Sequence, residues 1–329
     1  MVPLIIVNPK AAGGAAGRTF PAVRAVIERR LGRVDVLATE RAGHAVDLAR
    51  EAARRGRSLI VAVGGDGTLH EVANGVLDGG GGASVGYIGQ GTGGDFRRTL
   101  GIEHRLDRYV EVLAAGQDAR IDVGKARFRS HEGATQTRWF LNVLSVGMGG
   151  LVDQYVAETS KALGGTAAYF WASARALVRC ERARLRCTVH DPHGATPSGE
   201  THEVALDTYL LAICNGRYFG AGMHVAPMAK PHDGRFEVVS LDAPNKFALA
   251  MTSRRIYTGN HLSAPQVTHF GCDRIAIDLE DDRLRSVVLL DIDGEPLGTL
   301  PLEVELVPRA LSLRVGVAPG RAQMPAADI

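Results

Sequence analysis

Three glycines surround one carboxylate in Gly64-Gly65-Asp66-Gly67, between the apolar run Leu59-Ile60-Val61-Ala62-Val63 and a periodic segment that starts at Thr68. Strand, glycine turn and helix is the arrangement in which backbone N–H groups and a helix N-terminus face a phosphate. Glycine suits the turn because a Cβ would block the anion and oppose positive φ. A carboxylate in the same turn repels phosphate unless a metal or a substrate hydroxyl lies between. Asp66 therefore points to a nucleotide with magnesium, or to hydroxyl binding. The residues also have a purely structural reading. Thr68 and Glu71 fit the S/T-x-x-E capping box, which would hold a helix start in any protein.

Other chemistries find less support. No G-x-x-x-x-G-K-[ST] and no H-R-D loop occurs, so P-loop and protein-kinase chemistry are unsupported. The glycine turns lack the ribose-binding acid of a dinucleotide fingerprint. His190 and His193 are closely spaced but have no thiolate partner, and His224 and His232 read as solvated loop histidines. Four cysteines without C-x-x-C spacing suit a reduced cytoplasmic protein.

The glycine turn needs a sheet to hold it. Leu4–Val7 reads as a buried strand, with Asn8 to Gly14 as the loop at its carboxyl end. A helix with Phe20, Val23, Val26, Ile27 and Leu31 at helical spacing follows. Val34–Ala38 is a second strand, ending at Thr39, and a helix over about 44–55 precedes the central strand. This order predicts a parallel sheet with helices on both faces. Ligands bind such sheets at the carboxyl ends of strands, so the loops at Asn8, Thr39, Gly64 and Thr92 should converge there.

From about Ile121 the pattern changes to short strands, over 121–128, 139–146, 185–190, 208–214, 236–241, 267–270, 274–279 and 287–292, with one helical stretch over about 152–179. That spacing predicts an antiparallel sandwich or barrel-like domain. The fold class is α/β plus all-β: an N-terminal parallel α/β nucleotide-binding domain over 1–120 and a C-terminal antiparallel β-sandwich-like domain over 121–307. A strand over 308–320 can return to the first domain.

At 329 residues, 45% apolar and 22% charged, the chain has ample length for its cores. A net charge of +2 argues against a dedicated nucleic-acid binder. The N-terminus lacks the basic start and long apolar region of a signal peptide, and no uncharged run reaches bilayer-spanning length. Membrane contact should be peripheral. A homodimer is compatible with everything above.

The stretch Gly64 to Gly75 resembles the GGDGTxNExxNG signature of the diacylglycerol kinase catalytic domain family, which includes bacterial lipid kinases, sphingosine kinases and ceramide kinases. Its shorter core, GGDGT, also occurs in NAD kinases. Asn8-Pro9 with Gly13 is similar to the family's NPxxG loop, and Thr39 with Gly43-His44-Ala45 to its T-x-x-x-GHA element. Gly91 to Arg97 looks like GTxNDFAR, Asp293-Gly294-Glu295 matches DGE, and Asp233-Gly234 resembles the magnesium-binding DG loop. The matches run in family order from residue 5 to about 320.

The resemblance implies an ATP-dependent lipid kinase, with ATP at the cleft between two domains and a lipid substrate at a membrane surface. Asn8, Thr39, Gly65, Asp66, Gly67, Thr68, Leu69, His70, Glu71 and Thr92 would bind the nucleotide. Asp293 would be the general base, and Glu295 could orient it or bind metal, although Asp-Gly is also the favoured type I′ hairpin pair. Mg²⁺ would be held by the Asp233 side chain with the backbone carbonyls of Lys230 and Arg235, because charged Lys and Arg side chains cannot ligate it. Two departures from the family pattern matter: His70 and Gly94 stand where it has Asn. Histidine can still donate and accept a hydrogen bond, whereas Gly94 offers no side chain.

The expected acceptor is diacylglycerol or a related lipid alcohol. The rival readings are a kinase of NAD or another soluble metabolite, and a non-catalytic nucleotide-binding regulator. Arg175, Arg179, Arg182, Arg184 and Arg186 could meet anionic head groups or form a solvated face. Tyr169-Phe170-Trp171 could line an acyl groove or pack in the core.

Overall fold

The computed structural model describes residues 2–91, 93–158, 165–191 and 201–316, except for the side chains of 157 and 165–170. The chain forms two compact units: Met1–Val123 with the segment from Pro308 onward, and Gly124–Val307.

Continuous apolar runs build the sheet of the first unit. Strands β1 (Leu4–Val7), β3 (Leu59–Gly64) and β4 (Ser84–Gly89) are buried at every position, as parallel strands covered on both faces must be. With β2 (Asp35–Ala38) they pair in the order β2-β1-β3-β4, all parallel. The helices are α1 (Ala15–Leu31), α2 (His44–Arg54), α3 (Asp66–Asp78), α4 (Asp95–Thr99) and α5 (Leu106–Ala115). Gly75 lets α2 and α3 close together, since a Cβ there would lie 2.3 Å from the Val46 carbonyl oxygen. The last strand among the described residues runs parallel beside β4, pairing Ser312 with Ser84 and Leu313 with Val85.

β5 (Gln117–Ser130) carries the chain into the second unit. There follow β6 (Thr135–Phe140), β7 (Val143–Gly147), β8 (Ala183–His190), β9 (Thr201–Thr208), β10 (Leu210–Cys214) and β11 (Phe236–Leu241). β12 (Val267–Cys272), β13 (Arg274–Leu279), β14 (Leu289–Ile292) and β15 (Glu295–Val315) complete the set. One antiparallel layer runs β12-β11-β10-β7-β14. β15 pairs with β14 and β13, β13 with β8, and β8 with β9.

Side-chain alternation divides the second unit into two cores. Leu144 and Val146 of β7, Leu211 and Ile213 of β10 and Val238 of β11 face the sandwich interior, where Phe140 stacks on Phe236 at 5.4 Å. Val143, Leu210, Ala212 and Val239 face the other way, beneath α6 (Met148–Glu158), α7 (Gly165–Arg179) and α8 (Lys246–Ile256). The helical stretch expected over 152–179 is thus two helices, with 159–164 outside the described residues. α8 was not expected. Its signal was the cap, for the Asn245 side chain accepts the Ala248 N–H at 2.9 Å. Phe247 and Met251 are exposed and break the apolar stripe that would have marked it. No helix among the described residues is long and apolar enough to cross a membrane.

Candidate active site

The loops after the four parallel strands share one sheet edge. Asn8 donates its N–H to the Val63 carbonyl at 2.9 Å, its Oδ1 accepts the Lys10 N–H at 3.0 Å, and its Nδ2 reaches Thr68 Oγ1 at 3.3 Å. Thr39, buried after β2, donates its N–H to the Val7 carbonyl. The β3 and β4 loops touch at glycines: a Cβ on Gly91 would lie 3.0 Å from Gly65 Cα. Nothing would crowd a Cβ on Gly67, so its backbone is open. Thr92 lies outside the described residues.

Several signature residues hold this edge together from behind. Asp66 Oδ2 accepts the N–H of Gly94 at 2.7 Å and of Asp95 at 3.2 Å, so Asp66 is tied to the start of α4. The capping box does not form. α3 begins at Asp66 with Gly65 as its cap, and Glu71 reaches α2 instead, accepting the N–H of Gly43 at 3.2 Å and of Ala45 at 3.1 Å. Leu69 and His70 are buried, and His70 Nε2 lies 3.3 Å from Asn74 Nδ2, one turn on.

Burial keeps the neighbouring titratable groups neutral. It raises the Tyr87 hydroxyl, with Asp66 adding to the effect, and pushes Tyr109 up to about 12. It lowers His104, whose Nδ1 is 2.9 Å from the Tyr109 hydroxyl, and the Arg97 and Arg98 charges act in the same direction. Asp95 is buried and pairs with Arg98 at 2.5 Å.

In the second unit, Asp293 and Gly294 join β14 to β15 at φ +53° and +90°, the left-handed pair of a type I′ turn. The Asp293 carboxylate is engaged: Oδ2 accepts the Leu141 N–H at 2.7 Å, and Oδ1 those of Asn142 and Val143 at 3.0 Å each. A carboxylate has about four lone-pair sites, so most of its capacity holds the chain entering β7. Glu295 is half-buried, and its carboxylate forms no hydrogen bond among the described residues. Sequence reasoning missed Asp291 and Asp153, which α6 brings together by packing on β14. Asp291 Oδ1 accepts the Gly294 N–H at 2.8 Å, and the Ser145 hydroxyl lies 3.4 Å from Oδ2. Burial, then Asp153 and Asp293, hold its carboxyl well above the usual carboxylate range.

At the expected magnesium loop, Asp233 is exposed and Gly234 turns the chain at φ +77°. The Lys230 carbonyl accepts the His232 N–H at 2.8 Å, which leaves it one lone pair. The Arg235 side chain lies over Gly271 and near Glu237 at 3.5 Å and Asp191 at 3.7 Å. One carboxylate plus carbonyls is a hard-oxygen donor set, which fits magnesium. The described residues contain no cluster of three or more His, Cys, Asp or Glu able to hold a metal. His224 is half-buried and stacks on Tyr218 at 4.3 Å, so it is not simply solvated.

Beneath α6, α7 and α8 lies an apolar pocket of about 540 Å³, lined by Val152, Leu177, Leu210, Met223, Leu249 and Ile256, with Ser173 and Arg254 also at its wall. Trp171 and Val178 of α7, Phe247 and Met251 of α8, and Tyr257 are exposed. The side chains of Tyr169 and Phe170 lie outside those described. The arginine cluster is largely offset: Arg175 pairs with Glu158 at 2.8 Å, Arg182 with Asp242 at 2.6 Å, and Arg184 with Glu280 at 3.4 Å.

A parallel α/β unit with a glycine-rich strand-end edge, followed by an antiparallel sandwich, is the build of the diacylglycerol and NAD kinases. Residues 3–126 match the diacylglycerol kinase catalytic domain, and residues 142–315 match the YegS C-terminal NAD kinase beta sandwich-like domain. The chain belongs to the family in which these two domains are joined, and it is a kinase acting on an alcohol. It is similar to proteins named diacylglycerol kinase from Staphylococcus saprophyticus, at 28% identity over 90% of each chain, and from Staphylococcus haemolyticus, at 28% over 90% of this chain and 83% of that one. Its fold is similar to a crystal structure of a diacylglycerol kinase from Bacillus anthracis Sterne, with a TM-score of 0.68 and 22% identity over 96% and 97% of the two chains. It also resembles yeast NADH kinase complexed with NADH, with a TM-score of 0.52 and 11% identity over 97% and 84%.

Proposed function

We propose that the chain transfers the γ-phosphoryl group of ATP to a lipid hydroxyl, with diacylglycerol or a related lipid alcohol as acceptor. The observation that carries this reading is the apolar pocket of about 540 Å³. Such walls suit hydrocarbon, whereas the ribose and phosphates of a nicotinamide nucleotide would lose their hydrogen bonds there. The names of the staphylococcal relatives support the same acceptor. The exposed Trp171 of α7, Phe247 and Met251 of α8 and Tyr257 just after α8 suit shallow insertion at a bilayer surface.

In-line transfer needs an aligned hydroxyl, neutralised phosphate charge and an acceptor for the proton. ATP supplies the phosphoryl group, and a bound magnesium ion would neutralise part of its charge. Asn8, Thr39, Gly65, Gly67, Thr68 and Thr92 bind the nucleotide, while Asp66, Leu69, His70 and Glu71 hold the loops and the helix that present them. Asp233, with the carbonyls of Lys230 and Arg235, is the loop suited to Mg²⁺. The Asp293–Glu295 turn supplies the base. Backbone N–H groups occupy the Asp293 carboxylate, so Asp293 fixes the turn and Glu295 takes the proton.

The test is to incubate the protein with labelled ATP and a panel of lipids and soluble metabolites. Diacylglycerol or a related lipid alcohol should be labelled, and Glu295→Gln should lower turnover about 10²–10⁴-fold at unchanged melting temperature. Preferential phosphorylation of NAD or another soluble metabolite would overturn the reading.

A further inference from the structure

Gly94 and Arg97 form one feature. Gly94 lies at φ +72°, ψ 38°, a left-handed conformation that Asn tolerates better than most residues with a side chain. In the GTxNDFAR pattern, Asn stands at the position of Gly94 and Ala at the position of Arg97, so this chain lacks one side chain and gains another three residues on. The two departures meet in space. A Cβ built on Gly94 would lie 2.9 Å from Arg97 Nε and 3.5 Å from Nη2. The guanidinium therefore fills the volume that a side chain at 94 would take.

The guanidinium is anchored but not satisfied. Arg97 Nη1 donates to the Ile102 carbonyl at 2.8 Å, while the buried Nε–H has no acceptor. Among the described residues no carboxylate pairs with it. Asp66 turns Oδ2 to the N–H groups of Gly94 and Asp95, and Asp95 pairs with Arg98. A buried charged donor without an acceptor is costly, and an anion is the ligand that removes the cost. The group sits on α4 against Gly94, whose N–H is held by Asp66 of the glycine turn, so it lies next to the loop where backbone N–H groups favour phosphate.

We propose that Arg97 binds a phosphate of the nucleotide in place of the side chain that Gly94 lacks. The proposal rests on the ATP reading above and names a contact within it. Arginine makes this a charged contact, so recognition at this loop depends on the phosphates and weakens with salt.

Isothermal titration of the full chain with ATP, adenosine and inorganic tripolyphosphate tests it, using wild type, Arg97→Ala, Gly94→Asn and the double variant. Arg97→Ala should weaken ATP and tripolyphosphate binding about 10- to 100-fold and adenosine binding less than about twofold. Its melting temperature should change little, because the half-buried side chain gives up one bond to the Ile102 carbonyl and removes one buried N–H that has no acceptor. Gly94→Asn alone should also weaken ATP binding, since the amide displaces the guanidinium. Adding Arg97→Ala to it should recover part of that loss, which is non-additivity a merely structural role would not produce. ATP bound equally well by wild type and Arg97→Ala overturns the assignment and leaves the kinase reading standing. Equal losses for ATP and adenosine also overturn it, whereas a wild-type chain that binds no ATP overturns both.

Discussion

Asp291 carries a carboxyl group into the interior of the second unit, where it is almost fully buried. Burial and the like charges of Asp153 and Asp293 favour the neutral acid. A carboxyl raised in this way contributes stability below its unfolded value of about 3.9, and that contribution is lost as pH rises toward the folded value. Asp291→Asn keeps the neutral shape at every pH, including an oxygen for the Gly294 N–H. As pH rises above the unfolded value, wild type should lose stability more steeply than this variant, by up to about 1.4 kcal/mol per pH unit. Thermal melts across a pH series measure the difference, and parallel curves would refute it. Asp66 and Asp293 were legible in the sequence because each precedes glycine in a turn. The N–H groups that their carboxylates accept were not, since these belong to segments remote in sequence. Asp153 and Asp291 gave no signal at all, because only the packing of a helix on a strand pairs them.

At the scale of elements, the strands were legible because periodicity and β-branched runs are local properties. The helix α8 was not, because Phe247 and Met251 on its exposed face blur the apolar stripe. That same oddity belongs to the pocket it walls. Ser173 on α7 lines the pocket, and Ser173→Phe should fill part of it. The KM for a long-chain lipid acceptor should then rise about tenfold while ATP affinity stays within about twofold. Steady-state kinetics with long- and short-chain acceptors reads this, and an unchanged long-chain KM would remove the pocket from the acceptor site. The capping box is the instructive error among the local signals. Thr68 and Glu71 have the right spacing, yet α2 lies close enough to take the Glu71 carboxylate for its own first N–H groups.

For the molecule as a whole, the change from parallel to antiparallel pairing followed from where helices do and do not separate strands. A metal at the Asp233 loop would tie ion binding to the stability of the second unit. Chelating divalent ions should lower the melting temperature of wild type by about 2–6 °C and leave Asp233→Ala unmoved. Calorimetry with and without chelator decides it, and equal shifts in both proteins would place the ion elsewhere. The last of the described strands carries a different consequence, one that concerns synthesis. β4 is flanked by β3 and by that strand, whose Ser312 follows Ser84 by 228 residues. On the ribosome, at about 5–20 residues per second, the far side of β4 waits some ten to fifty seconds for its neighbour. During that interval a strand that is buried at every position in the finished fold presents unpaired backbone at an edge, the kind of surface that recruits chaperones or other nascent chains. The N-terminal unit is begun first and finished last.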